Sequence, residues 1–322
     1  MSDVTTSPVG SPAASTTNPA SSPVNERSSA TREPKDGNHT VPIRRRNKRL
    51  GTERLESVEK SLSERDWAIL RTAEQYRFVT GAQLVALLFT DHASVETAAR
   101  TARTVLSRLR RLRILDTLET RIGGIRAGSD GLVYFIGPVG DRILRQEDPG
   151  RSRRRLASPS VRFLEHTLAI TGMAVGLHEA ARHHGGEVVA LAPEKPRSFT
   201  DLLGTRQVIK PDLAAELAAT LGTEDLAAFF IELDLGTESI PTLIGKCVAY
   251  EEYRRSGEEQ RRFGGFPAIV WAMTATRPQT ALRRRQDLAR ALERHPMITA
   301  TDYRILPLET TSAEIFAEVS HA

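Results

Sequence analysis

Apolar and polar residues follow two rhythms along this chain, and the change from one to the other divides it. Residues 1–50 contain almost no large apolar positions and are rich in Ser, Thr, Pro and Ala. Such a segment buries too little surface to offset chain entropy, so a disordered tail is expected. It ends in the basic run Arg44-Arg45-Arg46-Asn47-Lys48-Arg49. Helical spacing starts near Ser63, where Ser63-x-x-Asp66 has the form of a capping box ahead of Trp67 and Leu70. Thr80-x-x-Gln83 caps a second helix, and a third runs from about Ser94 to Arg113. Two strands, 114–121 and 132–136, then flank a loop with Gly123-Gly124, Gly128 and Gly131. A short helix from Pro138 to Arg145 follows, and a Pro-Gly and arginine-rich linker covers 147–160.

Beyond the linker the pattern mixes both periods. We expect a helix over 161–183, strands near 187–192, 206–213 and 226–235, and a helix from Pro241 to about Arg255. A strand over 267–274, a helix near 280–294 and a strand near 298–306 follow. Three helices and a hairpin make the layout of a winged helix-turn-helix over residues 60–146. The order αβββαβ over 161–310 makes a mixed α/β unit, so the fold class is α+β to α/β.

Charge sharpens the division. Residues 41–155 hold 24 Lys+Arg and 14 Asp+Glu, a balance of +10, whereas 156–322 hold 18 and 22, a balance of −4. A basic first unit suits a polyanion. Only six of the 45 basic residues are lysines, so the placement of the arginines says more than their number. The single cysteine, Cys247, excludes internal disulfides and a cysteine-based zinc site, and fits a reducing cytosol. No basic segment followed by an apolar core opens the chain, and no stretch approaches eighteen apolar residues. A cytoplasmic protein without membrane spans is expected.

The third helix carries the first candidate chemistry. Ala98, Ala102, Val105, Leu109 and Leu112 follow steps of four, three, four and three and share one face. Arg100, Arg103, Ser107, Arg110 and Arg111 fall on the opposite face, with Arg108 and Arg113 on the flanks. A helix-turn-helix places such a face in the major groove of double-stranded DNA, where Arg meets guanine edges or phosphates. Arg121 and Arg126 on the hairpin would then touch the backbone. A solvated arginine face is the plainer alternative.

The second candidate is acidic. Lys210-Pro211-Asp212 precedes the apolar run that ends in Ile231-Glu232-Leu233-Asp234. Alternate strand residues share a face, so Glu232 and Asp234 can point together, and Asp212 can join them if its strand pairs alongside. Such carboxylates can hold Mg2+ or Mn2+ against a phosphate, and a lysine can stabilise the developing charge. Lys246 lies on the flank of the inward stripe Leu243, Cys247 and Tyr250 and can reach back to the strand ends. Glu165 could add a carboxylate. Acidic strand ends and a snorkelling lysine are the structural alternative.

The run Phe230-Ile231-Glu232-Leu233-Asp234-Leu235-Gly236-Thr237-Glu238-Ser239, with Lys246 and Tyr250, resembles the replication-relaxation family of actinobacterial plasmids and integrative elements. Leu62–Leu70, Tyr134–Gly140 and Phe163–Ala169 support the resemblance, which covers about residues 60–305. It implies a role in plasmid replication or in DNA relaxation during conjugation. The second unit is also similar to the restriction-endonuclease-like fold. That similarity implies Asp212 and Glu232 as metal ligands and Lys246 as a lysine moved from strand to helix. Asp234 stands where that pattern has its lysine, which leaves catalysis open.

Two functions stay in view. One is a DNA-binding protein that nicks or cuts an origin with Mg2+ or Mn2+ at Asp212, Glu232 and Asp234. The other is a non-enzymatic regulator or accessory factor, bound to an operator, whose α/β unit forms a homodimer or recruits a partner. A tyrosine relaxase using Tyr250 or Tyr253 is a weaker reading, because His183-His184 are adjacent rather than at alternate strand positions.

Overall fold

The structure, a computed structural model, describes residues 40, 51–118, 131–151, 158–201 and 203–321. The N-terminal part opens with α1 (Thr52–Lys60) and α2 (Glu64–Tyr76), continues through β1 (Val79–Thr80) and α3 (Gly81–Leu88) to α4 (Val95–Arg111), then β2 (Leu115–Thr117), β3 (Val133–Ile136) and α5 (Pro138–Glu147). Both expected capping boxes form: Ser63 Oγ accepts from the Asp66 amide, and Thr80 Oγ1 from the Gln83 amide. β3 is the middle strand of a three-stranded antiparallel sheet, with β1 and β2 on either side. Ile69, Leu70, Leu84, Leu106, Leu109, Ile114 and Ile143 form its core with the helices.

Helix α1 is not among the elements read from the sequence. Its apolar positions, Leu55 and Val58, sit in a charged run, and they become buried only when α1 packs against α5. The turn into α5 needs two glycines. A Cβ on Gly137 would lie 2.3 Å from the Arg113 carbonyl oxygen, and one on Gly140 would lie 2.4 Å from that of Ile114.

The remainder contains α6 (Val161–His184), β4 (Glu187–Pro193), β5 (Arg197–Thr200), β6 (Arg206–Ile209), β7 (Leu213–Ala218), β8 (Leu226–Asp234), α7 (Ile240–Ser256), α8 (Glu258–Phe263), β9 (Ala268–Met273), α9 (Pro278–Arg294), β10 (Tyr303–Pro307) and α10 (Thr311–His321). Five strands form one mixed sheet in the order β10-β9-β8-β7-β4. β8, β9 and β10 run parallel, while β7 is antiparallel to both β8 and β4. The single strand expected over 206–213 is two. Pro211 has no N–H for a ladder, so the chain turns at Lys210-Pro211-Asp212. β6 on one side pairs with β5, and β7 on the other joins the main sheet.

Alternate residues of the sheet serve two cores. Leu213, Phe229, Ile231 and Val270 pack with α6 and α10 residues such as Leu177 and Phe316. Phe230, Ile269, Trp271 and Met273 pack with Leu243, Cys247, Tyr250 and Leu288. The even positions of β8, which include Glu232 and Asp234, therefore face α7 and α9. Helix α10 begins just beyond the expected end of the second unit at 310, and it supplies Ile315 and Phe316 to the first of these cores.

A further cluster, Phe78, Leu118, Val133, Phe135, Leu164 and Leu168, joins the N-terminal sheet to α6. Polar contacts reinforce it. Gln83 Nε2 donates to the Leu168 carbonyl at 2.9 Å and Thr171 Oγ1 to the Phe78 carbonyl at 3.3 Å. Arg151, in the expected linker, is pinned by Glu74 and Asp141. No helix among the described residues is long and apolar enough to cross a membrane.

Candidate functional site: an acidic pair under a lysine, and an arginine face

Helix α4 buries Ala98, Ala102, Leu106 and Leu109. Val105 and Leu112, assigned to its apolar stripe from the sequence, are half-buried at the stripe's edge, and Leu106 takes the central place. Arg100, Arg103, Ser107, Arg110 and Arg111 are exposed. Arg108 is committed elsewhere: its Nη2 donates to Asp66 Oδ1 at 2.5 Å, tying α4 to α2. Arg121 and Arg126 lie outside the described residues.

The acidic residues gather where β7 begins and β8 ends. Asp212 directly precedes Leu213, which pairs with Ile231, so Asp212 comes beside Glu232. The Leu233 amide donates to Asp212 Oδ2 at 2.8 Å, and His166 Nε2 on α6 lies 3.0 Å from Oδ1. Glu232 is only 2% exposed. The Tyr250 hydroxyl donates to its Oε1 at 2.6 Å, and Lys246 Nζ lies 3.3 Å from Oε2. Lys246 also reaches Glu238 at 3.2 Å, and its ammonium sits 5.7 Å from the centre of the Trp271 ring. Asp212, Glu232 and Lys246, picked out by strand alternation and helical spacing, thus meet at one place.

Asp234 does not join them. Arg284 on α9 places Nε and Nη2 at 2.9 and 2.6 Å from Asp234 Oδ2, and the Gly236 amide donates to Oδ1 at 3.1 Å. Both carboxylate oxygens are spent, and the side chain is sealed at 1% exposure. The three-carboxylate set expected from the sequence is therefore not assembled. A buried Asp attracts the nearest cation able to neutralise it, and here that cation is Arg284. Glu165 is exposed, and its neighbour His166 makes the contact with Asp212 instead. Tyr250 and Tyr253 are buried, and their hydroxyls donate to Glu232 and Glu259.

The local field is strong. Burial, together with the negative charge of Asp212, pushes the Glu232 carboxyl up to about 7, against the pull of Lys246 and Tyr250. The hydrogen bond to Asp212 raises His166 above its ordinary value despite burial. For Lys246, burial works against the charge. Glu232, Asp212 and Glu238 outweigh it and hold the ammonium firmly protonated.

The sequence model of the replication-relaxation family matches residues 70–269, more than half of the chain. The chain belongs to the replication-relaxation family. Searches of curated proteins and of solved structures return no match. The family span holds α4, His166, Asp212, Glu232, Lys246 and Tyr250 and stops short of Arg284. The description of this replication-relaxation protein's family points to replication and DNA processing.

Among the described residues no three His, Cys, Asp or Glu side chains are grouped to hold a metal ion. A pair is the relevant number for Mg2+, which proteins commonly hold through one or two carboxylates with substrate phosphates and water completing the shell. Asp212 and Glu232 fit that demand in donor type. Burial is the larger cause of the raised Glu232, and the Asp212 charge adds to it.

His166 and Arg284 escaped the sequence reading. His166 falls inside a quoted motif, Phe163–Ala169, but nothing in its spacing announces Asp212. Arg284 did leave a trace. Ala281, Leu288 and Leu292 are the buried stripe of α9, and Arg284 stands three residues after the first and four before the second. A cation on an apolar stripe either snorkels to solvent or meets a buried anion.

Proposed function

We propose that this protein binds double-stranded DNA and processes it during replication or transfer of a plasmid or integrative element. Residues 60–146 act as a winged helix-turn-helix, with α4 entering the major groove and strands β2 and β3 belonging to the wing. Residues 161–310 act as a restriction-endonuclease-like module. In support, α6, β4, β7, β8, α7 and β9 run in the order αβββαβ, with the β5–β6 hairpin inserted after the first strand. The observation that carries the reading is the convergence of Asp212, Glu232 and Lys246 at one end of the sheet.

Asp212 and Glu232 would hold Mg2+ or Mn2+, which when bound supplies Lewis-acid polarisation of a phosphoryl oxygen and an activated water at neutral pH. Lys246 sets a fixed positive charge where charge builds on the phosphate. Tyr250 orients Glu232, and His166 orients Asp212. Asp234 and Arg284 frame the site without entering it.

The test is strand cleavage of origin-bearing supercoiled DNA by the purified protein. Mg2+- or Mn2+-dependent nicking or linearisation is expected, lost in Asp212→Asn and Lys246→Met variants that keep wild-type circular dichroism. Absence of cleavage by the wild type with either metal overturns the nuclease reading. One observation favours a second reading, a non-cutting accessory factor: Glu232 is buried with both oxygens hydrogen-bonded inside the protein. Its signature is site-specific DNA binding that survives both chelation and Asp212→Ala.

A further inference from the structure

Three non-glycine residues among those described have a positive φ: Arg77 (64°), Arg113 (60°) and Glu194 (50°). Two of them are bonded to each other. Arg77, which ends α2, places Nη1 3.1 Å from Glu194 Oε2, in the turn that ends β4. Lys210 Nζ lies 2.6 Å from the other oxygen of Glu194. The Glu194 amide donates to the Asp212 carbonyl at 3.0 Å, so the same residue grips the segment that carries the Asp212 carboxylate. Two residues upstream of Arg77, Gln75 Nε2 donates to the Leu191 carbonyl at 2.8 Å, a second link from α2 to β4. At its other end α2 holds α4 through the buried Asp66 and Arg108.

These contacts form an unbroken series from the arginine-faced helix to Asp212: α4, Arg108, Asp66, α2, Arg77, Glu194, Asp212. Adhesion between the two parts does not require it, because the apolar cluster of Phe78, Phe135, Leu164 and Leu168 already joins them. Partly exposed ion pairs add little to stability in any case. A positive φ at both partners of one ion pair is unfavourable for residues with a Cβ, and it persists where the surroundings over-determine the geometry. Placement rather than adhesion accounts for it.

We infer that Arg77 and Glu194 are positioning residues that fix Asp212 at a set distance from the DNA held by α4. This rests on the nuclease reading above, and it adds a measuring function: the clamp decides which phosphodiester bond meets the carboxylate pair. An error of about an ångström at a reacting centre can cost on the order of a hundredfold in rate, so a modest loosening is readable.

The test uses the full chain with Glu194→Gln, Arg77→Gln, the double variant, and Lys210→Ala as a control that leaves the Arg77 contact in place. DNA affinity, the position and rate of cleavage, and hydrogen exchange of the 209–213 segment are measured together. Glu194→Gln and Arg77→Gln are expected to keep affinity within about twofold. Cleavage at the wild-type position is expected to fall at least about tenfold and to spread to neighbouring bonds. The double variant should be no worse than Glu194→Gln alone, which already removes the Arg77 contact. Exchange over 209–213 should quicken while that of α4 does not change. Cleavage by Glu194→Gln at the wild-type position and rate overturns the inference, as does unchanged exchange over 209–213. A wild type that never cleaves refutes the nuclease reading instead, and the exchange measurement then decides the clamp by itself.

Discussion

Replacing Asp234 by alanine separates its framework role from a metal-binding one. The carboxylate accepts two charge-assisted hydrogen bonds from Arg284, at 2.6 and 2.9 Å, and one from the Gly236 amide at 3.1 Å. Alanine removes all three and leaves Arg284, only 17% exposed, with a remaining bond of 2.7 Å to the Glu238 carbonyl. Breaking a buried ion pair from one side costs roughly 3–5 kcal/mol. Since Arg284 keeps that carbonyl and some solvent, the lower end applies, about 3 kcal/mol. At roughly 2–4 °C per kcal/mol for a domain of this size, Tm should fall by roughly 6–12 °C.

Thermal and urea unfolding of the metal-free protein measure this. Arg284→Leu and the double variant complete a cycle in which the double loss is smaller than the sum. Asp212→Asn is the contrast. It relieves repulsion against Glu232 and should leave Tm near wild type or above it, as expected where a carboxylate is kept for function rather than stability. If Asp234→Ala changes stability by less than about 0.5 kcal/mol, Asp234 is not the structural partner of Arg284, and the reasoning is wrong.

Asp66→Asn should destabilise by about 2 kcal/mol, because it weakens an N-terminal cap and strips Arg108 of its charged partner; chemical denaturation reads the loss. DNA affinity should fall steeply with salt, and the slope should flatten by about one unit for each phosphate-contacting arginine replaced among Arg100, Arg103, Arg110 and Arg111. A flat salt dependence contradicts docking through that face. The metal-free protein should lose stability as pH rises from about 5 to about 8. Glu232, raised to about 7, keeps in the folded state a proton that the unfolded chain releases at its ordinary carboxylate value. The contribution of His166, also raised, is present below its unfolded value and lost as pH climbs through its folded one. Glu232→Gln should flatten the Tm–pH curve; an unaltered curve refutes this electrostatic assignment.

How far the sequence could be read depended on whether a signal was local. The exposed side of α4 follows from steps of three and four along one helix, and all five residues assigned to it are exposed. Lys246 was legible because helical spacing set it on the flank of a buried stripe, facing the preceding strand's end. β7 was not: Leu-Ala-Ala-Glu-Leu-Ala lacks β-branched residues, and only pairing with β4 and β8 on both sides makes it a strand. The fate of Asp234 was hidden for a different reason. Its partner lies fifty residues away on α9, and which strand end that helix covers is a tertiary fact. His166 meets Asp212 across 46 residues in the same way.

The most direct measurement of the central claim is Mn2+ binding, followed by electron paramagnetic resonance, in the presence of saturating duplex DNA. Wild type is expected to retain a tightly bound Mn2+ that Asp212→Asn and Glu232→Gln lose, although both variants still bind the duplex. Equal Mn2+ retention by wild type and Asp212→Asn, or none by either, would contradict the assignment of Asp212 and Glu232 as the metal-holding pair.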